Sequence, residues 1–370
     1  MKISKIFLGI CVLSILAALI MLVMGKGTEA GPFATIFFIA LAIGIRGTFL
    51  KGLSFTVWIF AAVTTSMFYP KYFIEIAGFQ LSSLIVPLMQ IIMFGMGTTM
   101  SLRDFYGVIK MPKGVVVGLL CQFTIMPFVG LALAKSFGFP PEIAAGVVLI
   151  GSSPCGLASN VMNFIAGSNL ALSITLTAVA TMVAPIMTPL MMKLLAGQFI
   201  EISFFGMMWT VFKIVIIPVV AGLIFNYVVH GRAKWLDRAM PVVSMVGIAY
   251  IITIITAAGR DGLLTMGIAL VIAAILHNSL GYLFGYWGSR LFGLDEKSCR
   301  TISIEVGLQN GGLASGIALS MGKVATMGLA PAVFGPWMNI SGSALANFWR
   351  AKPVKDAKPK EEKESGVVSE

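Results

Sequence analysis

Long apolar segments alternate with short polar connections along almost the whole chain. A bilayer core requires about 20 apolar residues per helix, and twelve segments approach or exceed that length. They lie at residues 6–24, 32–49, 53–69, 79–100, 114–137, 143–165, 170–195, 202–229, 236–258, 263–292, 301–321 and 324–349. The pattern predicts an all-α polytopic membrane protein with twelve transmembrane segments.

The amino-acid composition changes which classes of protein need to be considered. The 370 residues are 58% hydrophobic and 11% charged, whereas soluble chains are about 25% charged. So few charges cannot cover a soluble globule, which disfavours a soluble enzyme, a disordered protein and a nucleic-acid-binding protein. The four cysteines are widely separated and there are two histidines, so we expect neither a disulfide framework nor a metalloenzyme.

Lys and Arg residues are divided unequally between alternate loops. With a cytoplasmic N-terminus, 19 of the 26 lie on the cytoplasmic side, 6 lie on the opposite side and Lys213 lies within a segment. Because short loops rich in Lys and Arg stay in the cytoplasm, we expect both termini there. Residues 351–370 are rich in Lys, Glu and Pro, which predicts a disordered tail. The first segment is long and lacks a small-residue cleavage site, so we expect a retained span rather than a signal peptide.

Ten of the twelve segments divide into two sets of five. Residues 1–50 hold two additional N-terminal spans, and the ten-helix unit over residues 51–350 divides into repeats at about 51–198 and 199–350. An odd number of spans per repeat gives the two repeats opposite orientations in the membrane. Inverted repeats of this kind are typical of secondary transporters.

The fourth segment of each repeat contains residues that interrupt helices. The first holds GSSPCGLASN at 151–160, and the second holds EVGLQNGGLAS at 305–315. Irregular backbone inside a membrane is tolerated only where protein or a water-filled cavity satisfies it. Broken helices also present N–H groups to anions and carbonyl groups to cations. We therefore interpret both segments as discontinuous helices that form a binding site, with close packing of small residues as the alternative.

Glu305 is an acidic residue that lies well inside a predicted span. A carboxylate within a bilayer is costly and therefore indicates a function or a partner. An ion pair with Lys213 and a permanently protonated side chain remain open as alternatives. Hard cations prefer oxygen ligands, and several spans carry side chains that could supply them. These are Gln122, Ser159, Asn160, Ser173 and Thr177.

Several motifs together resemble the bile acid:sodium symporter family, and its bacterial members most of all. They are FGMG at 94–97, QFTIMP at 122–127, SP at 153–154, SNVM at 159–162, NLALS at 169–173, IEVGLQN at 304–310 and WMNISG at 337–342. The resemblance implies a fold in which two discontinuous helices cross, in a bacterial inner membrane. It also implies coupling of sodium to an organic anion, such as a bile acid or a small carboxylate like pantoate.

The resemblance further implies which residues bind each ion and the substrate. The first of two sodium ions would be held by Ser159, Asn160, Ser173, Thr177 and Glu305. The second would be held by Gln122, Glu305, Gln309 and the backbone carbonyls of Val306 and Leu308. The organic anion would lie near Asn310 and near Cys155, Gly156, Leu157 and Ala158. Leu157 and Met338 depart from the residues usual in the family, so the motifs leave the substrate open.

Sodium-coupled symport by alternating access is therefore the expected function, with no cofactor besides the coupling ion. A proton-coupled or efflux carrier on the same fold is the nearest alternative, and a channel is a second. An intramembrane enzyme would need a nucleophile with a base or a pair of acids, and the predicted spans do not place such groups together.

Overall fold

The computed structural model describes residues 2–48, 53–229 and 234–354. Residues 355–370 of the predicted tail lie outside this range. The first helices of the chain are α1 (Lys2–Val23), α2 (Ala30–Gly44), α3 (Ser54–Phe68), α4 (Lys71–Ile74), α5 (Ile85–Thr99), α6 (Leu102–Phe105), α7 (Gly107–Lys110) and α8 (Pro112–Ser136).

The second part of the chain is also helical. Its helices are α9 (Pro141–Ser152), α10 (Ala158–Ala166), α11 (Leu170–Met191), α12 (Phe204–Val211), α13 (Ile217–Val229), α14 (Lys234–Ala258), α15 (Arg260–Leu291), α16 (Glu296–Gly307), α17 (Gly311–Ser320) and α18 (Leu329–Arg350). Turns of π-helix at Met192–Ala196 and Phe212–Ile216 extend α11 and join α12 to α13.

A short hairpin separates α4 from α5. Its strands, β1 (Glu75–Ile76) and β2 (Phe79–Gln80), are antiparallel, and Ile76 lies opposite Phe79. Ala77 and Gly78 have φ values of 51° and 83°, the left-handed conformation that a two-residue hairpin turn requires. The fourth predicted segment is consequently shorter than expected, because its α-helix begins at Ile85 after a 3₁₀ turn at Leu81–Leu84.

Each of the twelve predicted segments coincides with one helix or with consecutive helices. Among the described residues, seven helical stretches are long and apolar enough to cross a bilayer. The prediction of an all-α polytopic membrane protein is therefore confirmed. The remaining segments are shorter or more polar, since they include the halves of two interrupted helices.

The interruptions occur where the sequence predicts them. The first separates α9 from α10 at residues 153–157, and the second separates α16 from α17 at residues 308–310. Ser153 and Leu308, the residues that follow α9 and α16, both have extended backbone. Each of these two interrupted segments therefore consists of two half-helices joined by a short extended stretch.

The two extended stretches pair with each other. The Gly156 N–H donates to the Leu308 carbonyl at 2.9 Å, and the Asn310 N–H donates to the Pro154 carbonyl at 2.8 Å. They form an antiparallel bridge centred on residues 155 and 309. Backbone groups released by one interruption are thus satisfied by the other, as the interior of a membrane requires.

Helices α8, α11, α15 and α18 pack around this crossing. Small residues allow the close approach. A Cβ atom on Gly151 would lie 2.4 Å from the Met126 carbonyl oxygen, and one on Gly146 would lie 2.3 Å from the Met327 carbonyl oxygen. Both glycines are in α9, so this half-helix is held against backbone on two sides.

Helix α16 begins five residues before the predicted segment. Asp295 caps it by accepting a hydrogen bond from the Ser298 N–H at 3.0 Å. Arg300, which the loop-charge count places outside the membrane segments, lies inside the helix and is 8% exposed. Its guanidinium donates to Glu296 and to the Lys352 carbonyl, each at 2.8 Å. Pairing of this charge is the reason that a polar helix start can be buried.

Candidate functional site

The carboxylate of Glu305 is enclosed where α16 passes α10 and α11. Glu305 is 2% exposed. The Ser173 hydroxyl oxygen lies 2.5 Å from Oε1, and the Thr177 hydroxyl oxygen lies 3.0 Å from Oε2. Because these two residues are one helical turn apart, both hydroxyls of α11 reach the same carboxylate.

Asn160 and Ser159 of α10 complete the predicted group. The side-chain oxygen of Asn160 lies 2.7 Å from the Ser173 oxygen and 3.2 Å from the Thr177 oxygen. The Ser159 hydroxyl donates to the Gly156 carbonyl at 2.8 Å and lies 3.5 Å from the Thr177 hydroxyl. The structure therefore brings together all five residues expected at the first sodium ion.

This group contains more hydrogen-bond acceptors than hydrogens to satisfy them. The hydroxyls of Ser173 and Thr177 each have one hydrogen, which can go either to Asn160 or to Glu305. Oxygen atoms with spare lone pairs around a carboxylate are the ligands that hard cations prefer. Clusters of three or more His, Cys, Asp or Glu side chains are absent from the described residues. The chemistry of the group suits a small hard cation rather than a transition metal.

The alternative in which Glu305 pairs with Lys213 is wrong. Lys213 is exposed, and its ammonium nitrogen lies 6.0 Å from the centre of the Trp209 ring. The partners of Glu305 are neutral hydroxyl and amide groups instead. The carboxylate therefore lies in an environment that a cation could complete.

Gln122 of α8 contacts Gln309, which lies in the interruption between α16 and α17. The Gln122 amide donates to the Gln309 side-chain oxygen at 2.6 Å and to the Ser153 carbonyl at 2.9 Å. The Gln309 amide donates to the Val306 carbonyl at 2.6 Å. The side-chain oxygen of Gln122 is buried and has no hydrogen-bond partner. An unpaired buried acceptor costs about 1–3 kcal/mol, so this oxygen is available to a cation.

The resemblance places Glu305 at both predicted ion sites, but its carboxylate lies closer to the first. Its described hydrogen bonds come from Ser173 and Thr177 of the first group and from Asn163, and none comes from the second group. It directly precedes Val306 in the same helix, and the Leu308 carbonyl already accepts the Gly156 N–H. Four of the five residues expected at the second ion thus meet around the interruption, with Glu305 one residue away.

A cavity of about 150 Å³ lies between the crossing and helices α5, α14 and α18. Four of the predicted substrate residues line it, namely Gly156, Leu157, Ala158 and Asn310. The first residues of α10 and α17 belong to this lining, so both half-helices begin at the cavity. None of the described lining residues carries a formal charge. Helix N-termini favour an anionic group, and the surrounding Ile, Leu and Met side chains favour an apolar body.

Cys155 does not line this cavity, unlike its neighbours. It is buried against Phe123 and Ala180, and its thiol faces Glu305 and Thr177. Successive residues of an extended stretch point to opposite sides, so Cys155 and Gly156 face opposite sides of the crossing. Cys155, expected near the substrate, thus lies on the side of the carboxylate and not on the side of the cavity.

Asn163 belongs to the carboxylate group, although sequence reasoning omitted it. Its amide nitrogen donates to Glu305 Oε1 at 3.0 Å and to the Ser173 hydroxyl oxygen at 2.9 Å. Asn163 follows Ser159 by four residues in α10, which places both on one face of the helix. This spacing was the signal that could have identified it.

Asn278 of α15 binds the last residue of α16. Its amide nitrogen donates to the Gly307 carbonyl at 2.6 Å, and its side-chain oxygen accepts from Ser341. Its neighbour His277 is buried with Nε2 3.2 Å from the Met126 carbonyl oxygen. His277 and Asn278 are therefore packed residues that form hydrogen bonds at the crossing.

Comparison with known proteins is consistent with this geometry. The model of the Sodium Bile acid symporter family matches residues 86–266. The "Uncharacterized sodium-dependent transporter YocS" of Bacillus subtilis is 37% identical over 305 residues, which are 82% of this chain and 93% of that protein. The "Probable sodium/metabolite cotransporter BASS1, chloroplastic" of Oryza sativa is 32% identical over 309 residues, 82% and 74% of the two chains. The human ileal sodium/bile acid cotransporter is 30% identical over 254 residues, 66% and 71% of the two chains.

The match to the Bacillus protein extends over most of both sequences. The family and these relatives are transporters, which removes the intramembrane-enzyme alternative. With its two paired helix interruptions and this extent of identity, the chain belongs to the sodium/bile acid symporter family.

Proposed function

We propose that this protein is a symporter that carries a small organic anion together with sodium ions. The observation that best supports this is the presence of two different environments at one helix crossing. An oxygen-rich group surrounds Glu305, and an uncharged cavity lies at the N-termini of two half-helices. Because the same two extended stretches border both environments, occupation of one can change the other, which is thermodynamic coupling.

Two sodium ions would bind on the carboxylate side of the crossing. Ser159, Asn160, Ser173, Thr177 and Glu305 would hold the first. Gln122, Gln309, Glu305 and the carbonyls of Val306 and Leu308 would hold the second. The hydroxyls can rotate to direct lone pairs at an ion, and the cations would lower the cost of keeping the Glu305 carboxylate buried.

The organic anion would bind in the cavity. Its carboxylate or similar head would meet N–H groups at the start of α10 and α17. Apolar lining residues such as Leu157, Ile248 and Met338 would contact the rest of the molecule. Bile acids and small carboxylates such as pantoate both have this chemistry.

Alternating access would follow from inverted repeats at about 51–198 and 199–350. The pairing of the interruptions supports this relation, because each stretch donates one N–H and accepts one N–H at equivalent positions. In this proposal the protein lies in a bacterial inner membrane with both termini in the cytoplasm, and the repeats rock about the crossing. A C-terminal reporter that is active only outside the cytoplasm would contradict the topology.

Uptake by purified protein in proteoliposomes tests the coupling. Labelled taurocholate and pantoate would be offered with an inward sodium gradient, with potassium in place of sodium, and with a pH gradient alone. We expect sodium to stimulate uptake. Glu305→Gln keeps the shape of the side chain but removes its charge. Loss of this ionic contact should cost about 3 kcal/mol of sodium binding, and each 1.4 kcal/mol is a factor of ten, so sodium activation should weaken on the order of 100-fold.

Lys213→Met provides the matched control. Lys213 is exposed, and it is not among the described hydrogen-bond partners of Glu305. It should retain sodium-stimulated uptake. Uptake driven by a pH gradient and indifferent to sodium would favour the proton-coupled carrier instead. Normal sodium activation in Glu305→Gln would contradict the assignment of this carboxylate.

Leu157→Thr tests the separation of the two environments. Leu157 lines the cavity and does not join the hydrogen-bonded group around Glu305. An added hydroxyl should change the ratio of taurocholate to pantoate uptake more than it changes the sodium concentration for half-maximal uptake. A change in sodium requirement alone would contradict the assignment of the cavity to the substrate.

A further inference from the structure

Asn163 differs from the hydroxyl-bearing residues around Glu305 in what it presents to the carboxylate. Ser173 and Thr177 contact Glu305 through oxygen atoms. By rotation about the C–O bond, such an oxygen can change from donating a hydrogen to coordinating a cation. Asn163 contacts Glu305 Oε1 through its amide nitrogen at 3.0 Å. An amide NH₂ group only donates, so it cannot become a sodium ligand in this orientation.

The orientation of the Asn163 amide is held by its neighbours. Asn163 is 0% exposed. Ser168 donates its hydroxyl to the Asn163 side-chain oxygen at 2.6 Å, and the left-handed Gly167 (φ 62°) ends α10 and turns the chain back toward it. Reversal of the amide would place its oxygen against the Glu305 carboxylate. The N–H group therefore stays directed at Glu305.

We propose that Asn163 sets the sodium affinity of the transporter by competing with the ion for Glu305 Oε1. This inference rests on the sodium coupling proposed above. In the ion-free site the Asn163 N–H supplies part of the hydrogen bonding that a buried carboxylate needs. When sodium binds, this N–H has to leave Oε1 or share it with the ion.

The consequence is a weaker sodium site than the hydroxyls and the carboxylate would form alone. A transported ion must bind firmly enough to enter and weakly enough to leave. A donor fixed beside the carboxylate meets the second requirement, because it stabilises the site again as the ion departs. Asn163 is thus a positioning and affinity-setting residue rather than a ligand.

Asn163→Leu tests this inference, since leucine has a similar size and lacks the N–H group. The sodium concentration for half-maximal uptake would be measured in proteoliposomes at saturating substrate. Removal of a hydrogen bond to a charged group should lower that concentration by about tenfold or more. The maximal rate of uptake should fall as well if sodium release becomes slower.

Two further variants separate this role from a structural one. Ser168→Ala leaves Asn163 in place but frees its amide to reverse, so it should lower the half-maximal sodium concentration by a smaller factor. Asn226→Leu removes a similar amide hydrogen bond, to the Met100 carbonyl at 2.9 Å, away from Glu305. It should leave the sodium concentration unchanged.

The direction of the shift decides the outcome. A higher sodium requirement in Asn163→Leu would show that Asn163 is a ligand, and an unchanged requirement in both Asn163→Leu and Ser168→Ala would show a structural role; either result overturns the inference. Wild-type uptake that does not depend on sodium would instead overturn the proposed function. Sodium-dependent wild-type uptake with unaffected variants would overturn this inference alone.

Discussion

Helices α1 and α16 show opposite relations between polarity and burial. Helix α1 is apolar along almost its whole length, yet Leu13 is 70% exposed and Val23 is 89% exposed. Helix α16 carries Arg300, Ser303 and Glu305, and every residue from Ser298 to Gly307 is buried. In water the hydrophobic effect would place these helices the other way round.

The difference follows from the solvent. Lipid tails are as apolar as leucine, so α1 gains little by leaving the surface of the bundle. Ionisable side chains need partners that lipid cannot supply, so α16 has to be enclosed. The polar helix α16 is therefore enclosed at the functional site, and the apolar helix α1 lies at the periphery.

A charge placed on α1 should have the largest effect. Leu13 lies near the middle of the helix, and Leu13→Arg should raise the free energy of inserting α1 by about 3 kcal/mol. A glycosylation reporter placed in the loop after α1 would measure the fraction of chains in which this helix spans the membrane, and we expect that fraction to fall. Unchanged insertion would show that this face of α1 does not meet lipid.

A cavity created in α16 should have the next largest effect. Ile302 is fully buried and packs with Leu172, Leu176 and Val115. Ile302→Ala should lower the free energy of unfolding by about 3 kcal/mol through lost contacts and the remaining void. Unfolding of the purified protein in mixed micelles would measure this. A loss similar to that of a surface substitution would contradict the tight packing of this helix.

The charge at the start of α16 should have a smaller, pH-dependent effect. Burial acts to raise the pKa of Asp295, but hydrogen bonds from the Ser298 hydroxyl and backbone N–H outweigh it and lower the pKa below its ordinary value of 3.8. Because the pKa is lowered by folding, the stabilisation is present above pH 3.8 and is lost as the pH falls through the lowered pKa.

Asp295→Asn keeps the cap and removes the charge, so it measures this contribution. At pH 7 it should lower the free energy of unfolding by less than about 1 kcal/mol, the size of a charge effect at a helix N-terminus. The difference from the wild type should shrink as the pH falls below 3.8. A difference that stays constant with pH would mean that the charge has no part in stabilising α16.

The smallest effect is expected from Leu13→Ala, the lipid-facing counterpart of Ile302→Ala. Exposed substitutions usually change stability by less than about 0.5 kcal/mol, and here lipid replaces the missing side-chain atoms. The same micelle unfolding experiment would compare the two variants. A loss near that of Ile302→Ala would reveal that another protein surface covers this face of α1.

Local sequence features predicted much of the architecture and part of the site. Proline, glycine and serine cluster at 151–156, and together they disfavour a continuous helix, so the break after α9 was predictable. The four-residue spacing of Ser173 and Thr177 placed both on one face. The start of α16 was misplaced by five residues, because the burial of Arg300 depends on Glu296 and on the carbonyl of Lys352, which follows α18.

The roles of Cys155 and Asn163 depended on neighbours that are far away in sequence. Cys155 was expected at the substrate because it adjoins Gly156 and Leu157, but the extended backbone turns it toward Glu305. Asn163 was omitted although it follows Ser159 by four residues, because an asparagine near the end of a span is not distinctive by itself. Its significance arises from Glu305, 142 residues later in the chain.

The sequence by itself determined which segments are helical and where two of them break. These properties are local, because a chain in lipid must satisfy its backbone groups within each segment or expose a defect. Only the tertiary structure decided that residues 154–156 pair with 308–310, which side of that pairing each side chain faces, and that the Asn163 amide joins the Ser173 hydroxyl at Glu305 Oε1. Those choices depend on contacts between helices, which no periodicity along a single segment encodes.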